Sequence, residues 1–267
     1  MSRLDTAFAH APAFMPYFPV GYPTLDASVD IIEALAKNGA DLVEVGLPFS
    51  DPLADGPVIQ QATQVALENG VTTGDGLRAV AELRARGVSV PLVLMGYYNP
   101  FLAYGLPRLA IEAAAAGADG FIVPDLPLEE AALLVEALRA VSMPVIRMLA
   151  PTTPQDRARA LLQAAEGFVY LVSLTGVTGA RDQIAHDLPD FIARVRALAR
   201  PGQRLCVGFG IATPAQAREV GALADGVIVG SACVKAVREA REPVRAAADF
   251  ARTFKAALGQ NPQKRGG

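Results

Sequence analysis

The stretch AKNGADLVEVG, residues 36–46, places the end of a helix directly before a buried strand. Two further stretches repeat this join, AAAGADGFIVP at 114–124 and GALADGVIVG at 221–230. In each, small residues close the helix, an aspartate follows, and an apolar strand begins. A recurring helix-to-strand join predicts a chain built from alternating strands and helices.

Apolar, β-branched runs alternate with Ala/Leu/Arg-rich helical segments along the whole chain. We predict eight strands, at residues 14–20, 41–46, 91–97, 119–124, 144–149, 167–173, 204–209 and 225–230. They are hydrophobic almost throughout, which favours parallel strands covered by helices. The sequence therefore predicts an α/β fold, a single (β/α)8 TIM barrel with parallel strands and a short extra helix near a phosphate site. We assign residues 1–254 to this domain and residues 255–267 to a flexible C-terminal tail.

A doubly wound sheet is the competing fold. That fold usually opens with a glycine-rich fingerprint after its first strand. Here the corresponding position reads PVGYPT, residues 19–24, without the second and third glycines. The barrel is therefore favoured.

Composition excludes several classes of function. The formal net charge of −3 offers no electrostatic footprint for nucleic acid or anionic lipid. Two histidines, with Cys206 and Cys233 far apart, provide no credible zinc ligand set. Asp5 and His10 interrupt the N-terminal run that a signal peptide needs, and no apolar stretch is long enough to span a bilayer. The sequence predicts a cytoplasmic protein.

The loop after the second strand carries the most unusual residues. In VEVGLPFSDPLADGP, residues 43–57, Glu44 lies within a buried strand, and Asp51 and Asp55 follow in the loop. Ionised carboxylates are rarely buried without a partner, and the strand itself contains no basic residue. Glu44 is either a structural carboxylate paired elsewhere or a proton carrier with a raised pKa, and we favour the second. Asp55 alone is typical of turn chemistry.

Glycines mark the ends of the last three predicted strands, as a pair in the first two segments and as Gly-Ser in the third. They occur in LVSLTGVTGARDQ (171–183), CVGFGIATPAQA (206–217) and VIVGSACVK (227–235). Phosphate binding needs backbone N–H groups that converge without Cβ atoms in the way, often at a helix N-terminus. Any one of these glycines alone fits an ordinary turn. Three such sites at one end of a barrel favour a phosphate site, and their spacing matches neither a dinucleotide fingerprint nor a Walker A loop.

Residues 43–57 resemble the signature region of the tryptophan synthase alpha chain family. The resemblance continues through five further segments, namely MGYYNPFLAYG (95–105), VPDLP (123–127), VYLVSLTGVTGAR (169–181), VGFGI (207–211) and DGVIVGSA (225–232). It implies a lyase that cleaves indole-3-glycerol phosphate into indole and glyceraldehyde 3-phosphate, with no cofactor. By the same resemblance, Glu44 is the general acid/base and Asp55 interacts with the indole nitrogen.

The resemblance also implies the remaining site residues. The phosphate contacts are Gly179, Gly210, Gly230 and Ser231. The indole lies against Tyr17, Met95, Tyr170 and Phe209, with Ile122, Met148 and Ile228 equally explained as barrel core, and Thr178 closes the site over Asp55. Asp51, Pro52 and Asn99 face a beta chain that holds pyridoxal phosphate, in an alpha2-beta2 tetramer.

Three positions depart from the family pattern. Tyr17 stands where some members have phenylalanine, which puts a hydroxyl at the indole pocket. Pro19 replaces a common threonine, and Leu174 replaces an arginine before the GVTG loop. None of these changes touches Glu44 or Asp55.

Rival functions remain to be tested. A Schiff-base aldolase needs a lysine on a strand, but Lys37, Lys235, Lys255 and Lys264 lie in helical or tail segments. A phosphoribosyl-type sugar-phosphate isomerase could use two carboxylates and a similar phosphate cradle. A non-catalytic activating subunit of the beta chain is the third alternative.

Overall fold

Eight parallel strands form a closed barrel in chain order in the computed structural model, which describes residues 2–173 and 187–259. The strands are β1 Ala13–Pro19, β2 Val43–Gly46, β3 Leu92–Met95, β4 Gly120–Ile122, β5 Val145–Leu149, β6 Phe168–Val172, β7 Arg204–Gly208 and β8 Gly226–Val229. Each begins and ends within two residues of its predicted bounds. The predicted TIM barrel is confirmed.

Helices cover the outside of the barrel between successive strands. Their bounds are α1 Arg3–Thr6, α2 Leu25–Lys37, α3 Pro57–Glu68, α4 Thr73–Ala85, α5 Tyr98–Tyr104, α6 Leu106–Ala116, α7 Ala132–Arg139, α8 Gln155–Ala164, α9 Leu188–Leu198, α10 Pro214–Leu223, α11 Ser231–Arg238 and α12 Pro243–Gly259, with a 3₁₀ turn at Leu128–Glu130. The short α11, between β8 and α12, is the predicted extra helix. Within the described ranges, no helix has both the length and the apolar character needed to cross a membrane.

The three repeated joins have one structural purpose. The aspartate of each join accepts a hydrogen bond from the first residues of a neighbouring strand, Asp41 from Phe14 N (2.7 Å), Asp119 from Leu92 N (2.8 Å) and Asp225 from Leu205 N (2.9 Å). Each aspartate is also ion-paired, with Lys255, Arg84 and Arg196 respectively. These clamps lie at the amino-terminal ends of the strands. They stabilise the barrel on the face opposite to the one where barrel enzymes place their chemistry.

The predicted C-terminal boundary of the domain, at residue 254, is too early. Helix α12 continues to Gly259, and Leu258 is buried against the rest of the fold. Lys255 contributes the 2.6 Å ion pair to Asp41, which ties this helix to the start of β2. Residues 255–259 therefore belong to the domain, because burial and an ion pair fix them in place.

Candidate active site

Glu44 projects into the barrel. It is in register with Tyr17 on β1 and Val93 on β3, and only 1% of its surface is exposed. Its charge acts on Tyr17, Tyr170 and Cys206, on three different strands, which requires a position inside the barrel. Alternation along β2 then turns Val43 and Val45 toward the helices, as predicted.

The Glu44 carboxyl group has no compensating charge. Burial raises its pKa well above the ordinary value, and no basic side chain opposes that shift. Among the described residues, its Oε1 atom has no hydrogen-bond partner. A buried carboxyl group of this kind holds its proton to a higher pH than an exposed one, and it can donate that proton to a bound molecule.

Asp55 lies at the end of the loop between β2 and α3. Its backbone N–H donates to the Pro52 carbonyl at 3.1 Å, and its own carbonyl accepts from the Gln60 side chain at 2.8 Å. Gly56 and Pro57 then begin α3. The side chain is 5% exposed, and burial raises its pKa to about 6 while a hydrogen bond from Tyr97 lowers it. Its burial exceeds what a turn role requires.

Tyr97 is a site residue that the sequence interpretation did not single out. Its hydroxyl donates to the Asp55 carboxylate and accepts the Ala54 backbone N–H at 3.0 Å. Its ring lies 5.4 Å from that of Phe49, between centroids. Tyr97 thus holds both ends of the loop that carries Asp55. It follows β3 by two residues, so the rule that sites lie at the carboxyl ends of strands could have identified it.

Aromatic side chains form the walls between the two carboxylates. Tyr17 lies across Gly46 and Tyr170 lies across Gly208, and at either glycine an added Cβ would come within 2.2 Å of the phenol oxygen. Tyr170 contacts Phe209 with ring centroids 5.8 Å apart. The Tyr17 hydroxyl is hydrogen-bonded to the side chain of Thr63 on α3, a residue that no sequence motif indicates. The two glycines therefore make room for the pocket walls.

The predicted aliphatic wall residues also lie in the barrel interior. Met95 and Ile122 are in register on β3 and β4, and Met148 is in register with Tyr170. Ile228 is in register with Met15, which places it one step deeper than Tyr17. The structure places these side chains in the barrel interior. It does not distinguish residues that line the pocket from residues of the barrel core.

Two of the three predicted phosphate segments can be placed. Gly210 follows β7 with φ +79°, a left-handed conformation that suits glycine. Gly230 precedes α11 and Ser231 is its first residue, so the backbone N–H groups at this helix end have no partner within the helix itself. Thr178 and Gly179, and the substituted position Leu174, lie outside the described residues.

The predicted partner-facing residues lie on the exterior of the same end of the barrel. Asp51 and Asn99 are exposed and Pro52 is partly exposed. Two apolar side chains close to these residues in the sequence are also exposed. Leu53 is 84% exposed, and Leu102 on α5 is 50% exposed. The loop after β2 thus presents apolar surface outward while burying Asp55.

A cavity of about 390 Å³ lies elsewhere in the molecule. It is bordered by the β5–α8 loop and by α9, and Arg194, Phe191 and Thr153 are among its lining residues. None of the predicted site residues lines it. The chemistry of the side chains therefore locates the site, since Glu44 and Asp55 are the buried acids at the barrel mouth.

Burial raises the pKa of both acids. With a pKa of about 6, Asp55 is mostly a carboxylate near neutral pH, whereas the pKa of Glu44 lies well above its ordinary value with no hydrogen bond to oppose the shift. Environments that separate two titratable groups in this way assign an acid role to one and a charge-stabilising role to the other. The site can therefore protonate a bound molecule and stabilise the cation that results.

The Tyr97→Phe variant is expected to raise the pKa of Asp55 above about 6, because the hydrogen bond that favours the charged form is lost. A carbon-13 NMR titration of the aspartate carboxyl groups measures this change. Tyr104→Phe is the matched control, since the Tyr104 hydroxyl donates to Glu112 on the surface. An unchanged Asp55 titration in Tyr97→Phe would show that the tyrosine does not tune this acid.

Comparisons with known proteins agree on one family. A sequence profile described as "Tryptophan synthase alpha chain" matches residues 5–260. The tryptophan synthase alpha chain of Chloroflexus aggregans is 52% identical over 239 residues, which cover 88% of this chain and 89% of that protein. That of Roseiflexus sp. is 48% identical over 262 residues, covering 96% and 100%. A crystal structure of tryptophan synthase from M. tuberculosis in an aminoacrylate-bound form has a TM-score of 0.86 at 35% identity, covering 97% and 100% of the two chains.

Proposed function

The chain belongs to the tryptophan synthase alpha chain family, and we propose that Glu44 and Asp55 carry out its lyase reaction. That reaction, in tryptophan biosynthesis, cleaves indole-3-glycerol phosphate into indole and glyceraldehyde 3-phosphate. The observation that carries the residue assignment is the pair of buried acids at the barrel mouth. Burial raises the pKa of Glu44 well above its ordinary value, whereas Asp55, with a pKa of about 6, is mostly ionised near neutral pH.

Glu44 transfers both protons of the cleavage. Its carboxyl proton goes to C3 of the indole ring, which gives a cation delocalised onto the ring nitrogen. The hydroxyl on the adjacent side-chain carbon then returns a proton to Glu44 as its aldehyde C=O forms. The C–C bond breaks and its electron pair goes back to the ring, so indole is restored. Because the residue ends in its starting protonation state, one carboxyl group is sufficient.

Asp55 stabilises the cationic intermediate. Its carboxylate accepts a hydrogen bond from the indole N–H, where positive charge develops after C3 is protonated. Tyr97 and the turn at Pro52 hold the carboxylate in place before the substrate arrives. A pre-positioned charge of this kind needs no reorganisation during the reaction.

The substrate spans the barrel mouth between the acids and the phosphate turns. The phosphate binds to backbone N–H groups at Gly210, Gly230 and Ser231, together with Gly179. The indole ring lies between the aromatic walls formed by Tyr17, Tyr170 and Phe209, with Met95 beside it. We propose no metal or organic cofactor for this chain, because the two carboxylates supply the proton transfers and the charge stabilisation.

The partner is a beta chain, with which proteins of this family work. We propose that Asp51, Pro52 and Asn99 contact it, in an alpha2-beta2 tetramer whose pyridoxal phosphate lies in the beta chain. The exposed Leu53 and Leu102 support an interface here, because Leu53 directly follows Pro52 and Leu102 lies on the same short helix as Asn99. A cytoplasmic location is supported by Cys206 and Cys233, which are both buried and unbonded.

Release of indole from indole-3-glycerol phosphate tests the function. We expect indole from the chain alone at a low rate and a large increase with a beta chain, because the loop carrying Asp51 and Asp55 becomes fixed on binding. A ketose product without indole would indicate an isomerase. No cleavage even with the beta chain would indicate an activating subunit.

A further inference from the structure

The turn after β7 has a conformation that its sequence disfavours. Phe209 has φ +68° and Gly210 has φ +79°, so two successive residues are left-handed. Glycine adopts this conformation readily, whereas a bulky aromatic residue there is strained and needs support from its surroundings. Phe209 packs against Tyr170 at 5.8 Å between ring centroids, which explains why an aromatic side chain occupies the position.

Ser173, directly after β6, supplies that support. Its backbone N–H donates to the Gly208 carbonyl at 2.9 Å. Its hydroxyl lies within hydrogen-bonding distance of the same carbonyl (2.8 Å) and of the Phe209 carbonyl, and its single proton is shared between the two. The side chain is 8% exposed, so water cannot readily replace these bonds.

Holding the Phe209 carbonyl also orients Gly210. A trans peptide keeps C=O and N–H on opposite sides of its plane, so the direction of one fixes the direction of the other. The Ser173 hydroxyl thus fixes the direction of the Gly210 N–H group, which is one of the proposed phosphate donors. Its backbone N–H alone cannot do this, because it reaches only the Gly208 carbonyl.

We propose that Ser173 is a positioning residue for phosphate recognition, acting through the left-handed Phe209–Gly210 turn. The inference rests on the proposed function, since it concerns the phosphate of that substrate. Ser173 itself contacts no substrate atom. From the end of β6, it holds the conformation of the turn that follows the neighbouring strand β7.

The test is a double-mutant cycle between Ser173→Ala and Phe209→Gly. The readouts are kcat and KM for indole release with the beta chain present, and the inhibition constant of sn-glycerol 3-phosphate as the phosphate probe. Ser173→Ala is expected to raise KM and to weaken the binding of sn-glycerol 3-phosphate, each by about tenfold, with kcat changed much less. In the Phe209→Gly background, Ser173→Ala should change KM and the inhibition constant by less than about twofold, because glycine holds the left-handed turn unaided.

Two further variants address folding. Ser173→Cys keeps the size of the side chain with a weaker donor, so it should fold and show a smaller loss than Ser173→Ala. Ser28→Ala is the matched control, because Ser28 is a buried serine whose hydroxyl accepts from Gly21 N at 2.9 Å and donates to Leu25 at 2.6 Å. It is expected to lower thermal stability and leave the affinity for sn-glycerol 3-phosphate unchanged.

Two results would overturn the inference. One is a Ser173→Ala enzyme with wild-type KM and probe affinity. The other is an equal loss in the Phe209 and Phe209→Gly backgrounds, which would show that the hydroxyl does not act through the turn. A wild-type enzyme that releases no indole would instead refute the proposed function, and the inference with it.

Discussion

Glu44→Gln is expected to lower kcat for indole release by at least roughly 10²- to 10⁴-fold, the range for loss of one positioned proton transfer. Glutamine keeps the shape of the side chain and removes only the titratable proton. Binding of sn-glycerol 3-phosphate should be unchanged, because the proposed phosphate donors lie in segments that follow other strands. Steady-state kinetics and a competition assay measure the two quantities.

The same variant should not lose stability. Burial raises the Glu44 pKa in the folded chain, so folding retains a proton that the unfolded chain releases above its ordinary value of 4.5. The free energy of unfolding of the wild type therefore falls as pH rises above that value. Glu44→Gln removes this dependence, so its stability relative to wild type should increase as pH rises above about 4.5.

The control for this variant is Glu68→Gln, on the exposed face of α3. It makes the same chemical change far from the barrel interior and should leave kcat unaltered. A large drop in the melting temperature of Glu44→Gln, with a matching loss of phosphate binding, would assign Glu44 a structural role.

Asp55→Asn is expected to lower kcat by about 10²-fold, the scale for loss of one electrostatic contact to a developing charge. Asparagine preserves the turn and the packing but not the negative charge beside the indole nitrogen. In the wild type, activity should fall below about pH 6, where Asp55 becomes protonated, and this acidic limb should disappear in the variant. A pH series of kcat/KM measures both effects.

Asp156→Asn is the matched control, since that side chain is 98% exposed on α8. An Asp55→Asn enzyme with wild-type activity and an unchanged acidic limb in its pH profile would show that Asp55 serves only to form the turn.

The fold was predictable because the strands are apolar almost throughout and several helices end in small residues just before the next strand. The repeated aspartates at residues 41, 119 and 225 were visible in the sequence, although their role as clamps depends on neighbouring strands. Glu44 was identifiable because a carboxylate in a buried strand conflicts with local preference. Such conflicts are expected at functional sites.

The remaining features depend on contacts between distant parts of the chain. Tyr97 reaches Asp55 from the segment after β3, and Ser173 reaches Phe209 across the β6–β7 pair. The reason for Gly208 is the Tyr170 ring that lies over it, which no local pattern indicates. The end of α12 was misjudged because the tail is polar, whereas Lys255 and Leu258 are fixed by tertiary contacts.

The central claim is that Glu44 transfers a proton to and from C3 of the indole ring. Hydrogen–deuterium exchange at C3 isolates this step, since it needs no C–C cleavage. Indole is incubated in D₂O with the enzyme and sn-glycerol 3-phosphate, and loss of the C3 proton signal is followed by NMR. If Glu44 transfers this proton, exchange is rapid with the wild type and only at background level with Glu44→Gln. Equal exchange rates in the two enzymes would contradict it.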